Sequence, residues 1–405
     1  MKIVFIITDY GSFNNFLGEL AMELVKENEV HVICDKVKII NFKDKFPYAN
    51  LGIHFHHLHF SRNLSFISKI NASIRIKQVL DIIEPDVVNL HFTSGIFLAL
   101  LSGKIRFKTI GVFHGLGFPV AANPIKRFVF KSIESFCFKR LDQIGLINNL
   151  DHRLIQRKYP QASFKYNSFG VGCDLKKFDP ERFSTKEKDK LKEQLNISPD
   201  DFVLMFTGRF VYFKGFDLVI KAMKYLTETK GTKNIKLILV GGPDKAHSMN
   251  LSKEEKHFLQ TSPDIINIGF TGEVEKYLSI ANLFIFPSFK EGMPVCIMEA
   301  IAMGVPVVTL DARGCNDIVE DNVTGKLLDI DADHINVADA VMDLYHDREE
   351  LAFLSGNALA KKSAFDRKIF INESIEIFKN AVRSYPSLNG RLSFENGGPV
   401  LASGF

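Results

Sequence analysis

A chain of 405 residues is too long for one ordinary hydrophobic core, so two or three domains are expected. With 46% hydrophobic and 24% charged residues it has a soluble globular profile, not a disordered one, and no apolar run approaches the roughly 18 residues that cross a bilayer. Residues 1–182 carry 25 Lys and Arg against 16 Asp and Glu, the remainder 26 against 31, so a basic half of +9 sits beside an acidic half of −5. Nucleic acid, a phospholipid surface and a phosphorylated substrate all fit the basic half at this point.

In chain order, Lys2 is followed by one short apolar run, Ile3 to Ile7, closed by Thr8 and Asp9; it is too short for a secretory leader, and Lys2–Ile7 reads as a first strand. Val30–Cys34, Ile53–His59, Asp86–His91, Lys108–Phe113, Asp142–Ile147 and Tyr166–Phe169 follow as strands, with helical stretches between them. A boundary is expected in Asp179–Asp201, which holds Pro180, a charged run and Ser198-Pro199-Asp200-Asp201. Beyond it come Phe202–Thr207, Ile235–Val240, Ile266–Gly269, Leu283–Phe286 and Val305–Leu310. Continuous apolar strands alternating with helices indicate parallel sheets covered on both faces, and two such series indicate two doubly wound α/β domains. Phe365, Ile369, Ile375, Ile377 and Phe378 then recur with a helical period, and 384–405 is a Gly/Ser/Asn/Pro-rich segment that reads as a flexible tail. The five cysteines are scattered without a C-x-x-C pair, as suits reduced thiols in a cytoplasm and not a zinc site.

The chemistry concentrates after Leu283–Phe286. That strand runs into Pro287-Ser288-Phe289-Lys290, then Glu291-Gly292-Met293-Pro294, and Pro294 suits the first position of a helix because its missing N–H is not needed there. The helix through Val295 and Cys296 to Gly304 is apolar almost all round, so Glu299 sits in a buried helix where an unpaired carboxylate is costly. Glu291 falls at the carboxyl edge of the sheet, where open α/β sheets bind ligands, and the free N–H groups at Met293, Val295 and Cys296 favour a phosphate.

Glu291 to Glu299 forms an E-x(7)-E motif that resembles glycosyltransferase family 4, the retaining GT-B enzymes. Gly208-Arg209-Phe210 with Lys214-Gly215, Val240-Gly241-Gly242-Pro243, Gly269-Phe270-Thr271-Gly272, Ala302 to Val308 and Val323-Thr324-Gly325 match further landmarks in order. So do Phe113-His114-Gly115-Leu116-Gly117-Phe118 and Phe169 to Asp174, and the likeness spans about residues 1–380. It implies a GT-B-like fold of two doubly wound Rossmann-like domains facing across a cleft. Residues 1–180 would bind the acceptor, 185–364 the donor, and a helix over 365–383 would return to the first domain. By the same resemblance Glu299 binds the nucleotide ribose, Glu291 stands near the transferred sugar, Arg209 and Lys214 hold the diphosphate, and His114 is the acceptor-side histidine. Gly208, Phe270, Gly292, Met293, Pro294 and Val295 complete the donor site. Gly11, in Asp9-Tyr10-Gly11-Ser12, stands where many relatives have a Gly-Gly pair.

The implied reaction is retaining transfer of a hexosyl or N-acetylhexosaminyl unit from a nucleotide diphosphate sugar, UDP-linked by the resemblance, with no bound metal and no cofactor. The stretches around His114 and Arg313-Gly314-Cys315-Asn316-Asp317-Ile318-Val319 look most like bacterial capsule, O-antigen and lipid-linked oligosaccharide transferases, which implies a polyprenyl-diphosphate glycan acceptor. A sugar-nucleotide epimerase of the same fold and a non-catalytic sugar-nucleotide-binding subunit are the alternatives. Nucleic acid is not an expected partner, because the basic half shows no helix-turn-helix, RNP or zinc pattern.

Two patterns read as structural. Asp329-Ile330-Asp331-Ala332-Asp333 precedes an apolar-periodic helix and reads as its cap, not as a metal-bound donor motif. His54, His56, His57 and His59 alternate along a strand and so point to opposite faces. Ile125–Leu141 mixes Lys126, Arg127, Lys131, Lys139 and Arg140 with four Phe, and reads either as a helix lying on an anionic membrane surface or as a core helix with a solvated basic edge. With the basic half and no spanning segment, it implies peripheral attachment to the cytoplasmic face of a membrane.

Overall fold

The computed structural model describes residues 1–35, 51–58, 65–244 and 246–383. His59 and the tail 384–405 lie outside them. The first sheet contains β1 (Lys2–Asp9), β2 (Glu29–Asp35), β3 (Ile53–His57), β4 (Val87–His91), β5 (Lys108–Phe113), β6 (Gln143–Leu146) and β7 (Ser163–Lys165), in the order β3-β2-β1-β4-β5-β6-β7. The second contains β8 (Phe202–Phe210), β9 (Ile235–Pro243), β10 (Ile265–Gly269), β11 (Leu283–Phe286), β12 (Val307–Leu310) and β13 (Gly325–Leu328), in the order β10-β9-β8-β11-β12-β13. Every strand pairing among the described residues is parallel. The strand order reverses between β1 and β4 in one sheet and between β8 and β11 in the other, which opens a crevice at each carboxyl edge.

The side-chain alternation along β1 builds two layers at once. Ile3, Phe5 and Ile7 enter one core and Val4 and Ile6 the other, so the strand is apolar throughout because both faces are covered. The helix Arg367–Arg383 closes the first of these layers with Phe370, Phe378 and Ala381. Phe378 meets Phe5 edge-on at 6.0 Å, and Phe370 lies 5.6 Å from Tyr166. The chain thus crosses between the sheets twice, and the two crossings bind each other. Cys173 N–H donates to Phe365 O at 2.7 Å and Arg367 N–H to Cys173 O at 3.0 Å. Gly172 (φ 66°) permits this, since a Cβ there would fall 2.8 Å from Arg367 Cα.

Two strand readings differ. The seventh strand is Ser163–Lys165, and Tyr166–Phe169 leaves the sheet after Tyr166 N–H donates to Leu146 O at 3.0 Å. Strand β13 has no counterpart in the apolar runs. Both are edge strands with half-buried side chains, so neither carries a continuous apolar signature.

The helix Pro124–Phe138 divides in two. Glu134, Cys137 and Phe138 are buried, whereas Ile125, Phe128, Val129 and Phe130 are exposed, Ile125 by 75% and Phe128 by 72%. Asp333 caps the helix His334–His346, accepting from Ile335 N–H at 2.8 Å and Asn336 N–H at 3.1 Å. His54 and His56 gather around His31 of β2, whose Nδ1 is 2.9 Å from His56 Nε2 and whose Nε2 is 2.9 Å from Glu29.

Candidate active site

The loop Pro287–Pro294 sits at the carboxyl end of β11, beside the switch point. Glu291 is buried there, 2.5 Å from Lys214 Nζ. Ser288 Oγ lies 2.6 Å from Glu291 Oε1 and 2.9 Å from Phe213 O, with one proton for the two. Lys214 ends the turn Tyr212–Lys214 that follows β8. Arg209, near the end of β8 beyond Gly208, is half-exposed and ion-paired with Asp244, its guanidinium 5.4 Å over the Phe213 ring. This bond and the Ala246 amide hold the Asp244 carboxyl below its ordinary range, the amide contributing most.

Pro294 takes the cap position of the helix Val295–Ala302 instead of its first helical position. The N–H groups of Val295 and Cys296 stand in the first turn, without intrahelical acceptors. Glu299 follows one turn on. Its carboxylate has no hydrogen-bond partner among the described residues, and burial pushes its pKa up to about 7 against the pull of Lys177 and Arg367. Phe270 is 81% exposed past β10, its ring covering Gly242. Gly11 lies in the first turn of the helix Tyr10–Phe16, where Asp9 accepts from Ser12 N–H at 3.0 Å.

The two domains meet at Gly292. A Cβ there would fall 2.0 Å from His114 O, so only glycine lets the Glu291 loop reach the His114 loop. Met293 packs on Gly170 from the same side. His114 stacks on Phe92 at 4.3 Å and meets Phe16 edge-on at 5.2 Å. Burial lowers its pKa to about 3, so the ring is neutral.

Its tautomer follows from its neighbours. Asn89 Nδ2 donates to Ile110 O at 3.2 Å, which turns Oδ1 toward His91 Nε2, 2.5 Å away. That oxygen only accepts, so His91 Nε2 carries the proton and its Nδ1 is an acceptor. His114 Nε2, 2.9 Å from His91 Nδ1, therefore donates, and His114 Nδ1 keeps its lone pair.

The contacts bring Glu291, Lys214, Gly292, Met293, Pro294, Val295 and His114 into one locus, with Glu299 along the helix and Arg209 beside Phe213. Gly11 and Phe270 lie outside this contact set. Sequence reasoning missed Ser288, Asp244, His91 and above all Arg313 with Asp151. A cation in the loop just past a buried strand, at the carboxyl edge of a sheet, was the available signal for Arg313.

Comparison with known proteins agrees with this geometry. The family model for glycosyl transferases group 1 matches residues 187–360, and that for glycosyl transferase 4-like proteins matches residues 3–148. The chain is 24% identical over 276 residues to the UDP-Gal:alpha-D-GlcNAc-diphosphoundecaprenol alpha-1,3-galactosyltransferase of Escherichia coli, covering 66% of this chain and 69% of that enzyme. It is 24% identical over 352 residues to the capsular polysaccharide biosynthesis glycosyltransferase CapM of Staphylococcus aureus, covering 85% and 88%. In fold it resembles Anabaena Alr3699/HepE, solved in complex with UDP, with a TM-score of 0.74 at 18% identity over 94% of this chain and 100% of that one. The chain belongs to glycosyltransferase family 4 and has the GT-B fold.

Proposed function

We propose that the protein is a retaining glycosyltransferase of bacterial surface-polysaccharide assembly. It moves a hexosyl or N-acetylhexosaminyl unit from a UDP-sugar to a glycan on polyprenyl diphosphate. The observation that carries this reading is the unpartnered Glu299 carboxylate on a helix whose N-terminal amides adjoin the Lys214–Glu291 pair. The carboxylate accepts from both ribose hydroxyls. The amides of Val295 and Cys296, Lys214 and Arg209 hold the diphosphate and stabilise its charge as the glycosidic bond breaks, without a bound metal. Glu291 contacts the sugar, and His114 Nδ1 accepts from a hydroxyl across the cleft. The UDP-Gal donor and diphosphoundecaprenol acceptor of the Escherichia coli relative, and the UDP bound to HepE, support the choice of nucleotide and acceptor.

A thermal-shift panel tests it, because a ligand that binds only the folded state raises the melting temperature by mass action. UDP and UDP-sugars are expected to raise Tm more than GDP forms, equally in EDTA and in Mg²⁺. Equal or larger shifts with GDP-sugars would overturn the nucleotide assignment.

The acceptor's lipid places the enzyme on the cytoplasmic face of a membrane. Among the described residues no helix is long and apolar enough to cross one. The exposed Ile125, Phe128, Val129 and Phe130, interleaved with Lys126, Arg127 and Lys131, provide the attachment surface. Each basic residue near an anionic leaflet contributes about 1 kcal/mol, and salt screens that attraction. The protein is expected to float with phosphatidylglycerol vesicles at low salt. Replacing Lys126, Arg127, Lys131, Lys139 and Arg140 by Gln should release it while UDP binding persists. Flotation on neutral lipid alone to the same extent would refute the electrostatic attachment.

A further inference from the structure

Arg313 emerges from β12 at the carboxyl edge of the second sheet, and its side chain is 5% exposed. Its Nε donates to the carbonyl of Glu291 at 2.7 Å. Its Nη1 donates to Leu116 O at 2.7 Å and to Asp151 Oδ1 at 3.0 Å, both in the other domain. One guanidinium therefore spans the backbone of the donor-side carboxylate and the loop that carries His114.

The first domain builds the receptor for it. Asp151 is fully buried, and its Oδ2 accepts from Leu116 N–H and from Asn148 Nδ2, each at 2.9 Å. Asn148 in turn caps the helix Asn149–Gln156, accepting from Asp151 N–H at 2.8 Å. Further along the loop, the buried Glu134 accepts from Gly117 N–H at 2.7 Å and Phe118 N–H at 3.3 Å. A second interdomain bond runs alongside, from Asn149 N–H to Asp317 Oδ1 at 2.9 Å. Within the second domain, Gly314 lets the turn after Arg313 approach the Glu291 loop, since a Cβ there would fall 2.5 Å from Gly292 O.

We propose that Arg313 is the interdomain latch of this transferase and a positioning residue for its reaction, received by Asp151 when the domains close and setting Glu291 against the His114 loop. The inference rests on the reading of Glu291 and His114 as the two sides of the transfer site. The physical case is one of geometry. Removing both charges from water offsets much of their attraction, so the pair adds little net stability. What it supplies is a single closed arrangement, because a planar fork of donors can satisfy two carbonyls and a carboxylate only in one relative placement. A lysine ammonium has the charge but not the fork.

The test uses the full chain. Small-angle scattering reports domain separation, calorimetry reports UDP affinity, and steady-state kinetics with a UDP-sugar separates kcat from KM. Arg313→Lys and Asp151→Asn are expected to widen the scattering envelope, leave UDP affinity within error of wild type, and lower kcat by roughly a hundredfold, the scale of an ångström-level misplacement. Guanidinium ion should restore part of the turnover of Arg313→Ala and none of that of Asp151→Asn. Wild-type scattering and wild-type kcat in Arg313→Lys would overturn the latch. Should Arg313→Ala fail to fold, the other two variants decide the matter. If the wild type transfers no sugar, the transfer reading fails while the scattering comparison still tests the latch; if it does and the variants match it, the latch alone fails.

Discussion

Lys214→Ala is expected to lower turnover by about 10²–10³, the usual cost of removing one preorganised partner of a developing charge. On the proposed reading, departure of a nucleoside diphosphate concentrates negative charge within reach of a lysine held 2.5 Å from Glu291 and 20% exposed. A fixed cation there needs no reorganisation as the bond breaks. Part of the loss would have a second origin: without Lys214, Glu291 keeps only the shared proton of Ser288 while its side chain is 8% exposed. The double variant Lys214→Ala/Glu291→Gln isolates the stranded-charge effect in stability, since neutralising the carboxylate should recover the melting temperature that Lys214→Ala loses. Arg209→Ala should cost less, because Arg209 is half-exposed and shared with Asp244. Near-wild-type turnover in both single variants would show that the diphosphate is gripped elsewhere.

Glu299→Ala is expected to weaken UDP binding by roughly ten- to a hundredfold, the equivalent of about 1.5–3 kcal/mol for hydrogen bonds to a charged group. The same carboxyl has two pH signatures of opposite sign. Its folded pKa is raised to about 7 from an ordinary 4.5. Between those values the folded chain holds a proton that the unfolded chain has released, so this group's contribution to stability falls as pH rises through the window. On the proposed reading a ribose diol donates to the bare carboxylate, so UDP affinity should rise with pH over the same range and level off above it. The terminal phosphate of UDP titrates nearby, so the informative quantity is the difference between wild type and Glu299→Gln. Calorimetry and thermal melts from pH 5 to 8 supply both curves. Identical pH profiles for UDP binding in the two proteins would remove Glu299 from the ribose.

The central strands were legible because burial on both faces leaves no room for polar residues: Leu283–Phe286 and Lys108–Phe113 coincide with their apolar runs. The edge strands β7 and β13 were not, because half-exposed residues carry no such mark. Within the site, Glu291 and Glu299 stood out as carboxylates attached to an apolar helix. Arg313 and Asp151 did not, since their meaning lies in a contact between residues 162 positions apart and on different domains. The exposed half of Pro124–Phe138 was not legible either, because its apolar residues do not say which of them the fold leaves uncovered; the structure shows that Ile125, Phe128, Val129 and Phe130 are among those left exposed.

The pairing of Cys173 with Phe365 and Arg367 also has a mechanical consequence. Two separate tethers would let one domain slide past the other. Tethers fastened to each other at one point act as a pivot, so the freedom left to the domains is a swing. A swing moves the far edges most and the pivot least, which makes opening of the cleft large at its mouth while the packing of Gly172 against Arg367 hardly changes. Substituting Gly172 would disturb the pivot itself, altering the arc along which the domains approach each other without touching any residue that meets the sugar.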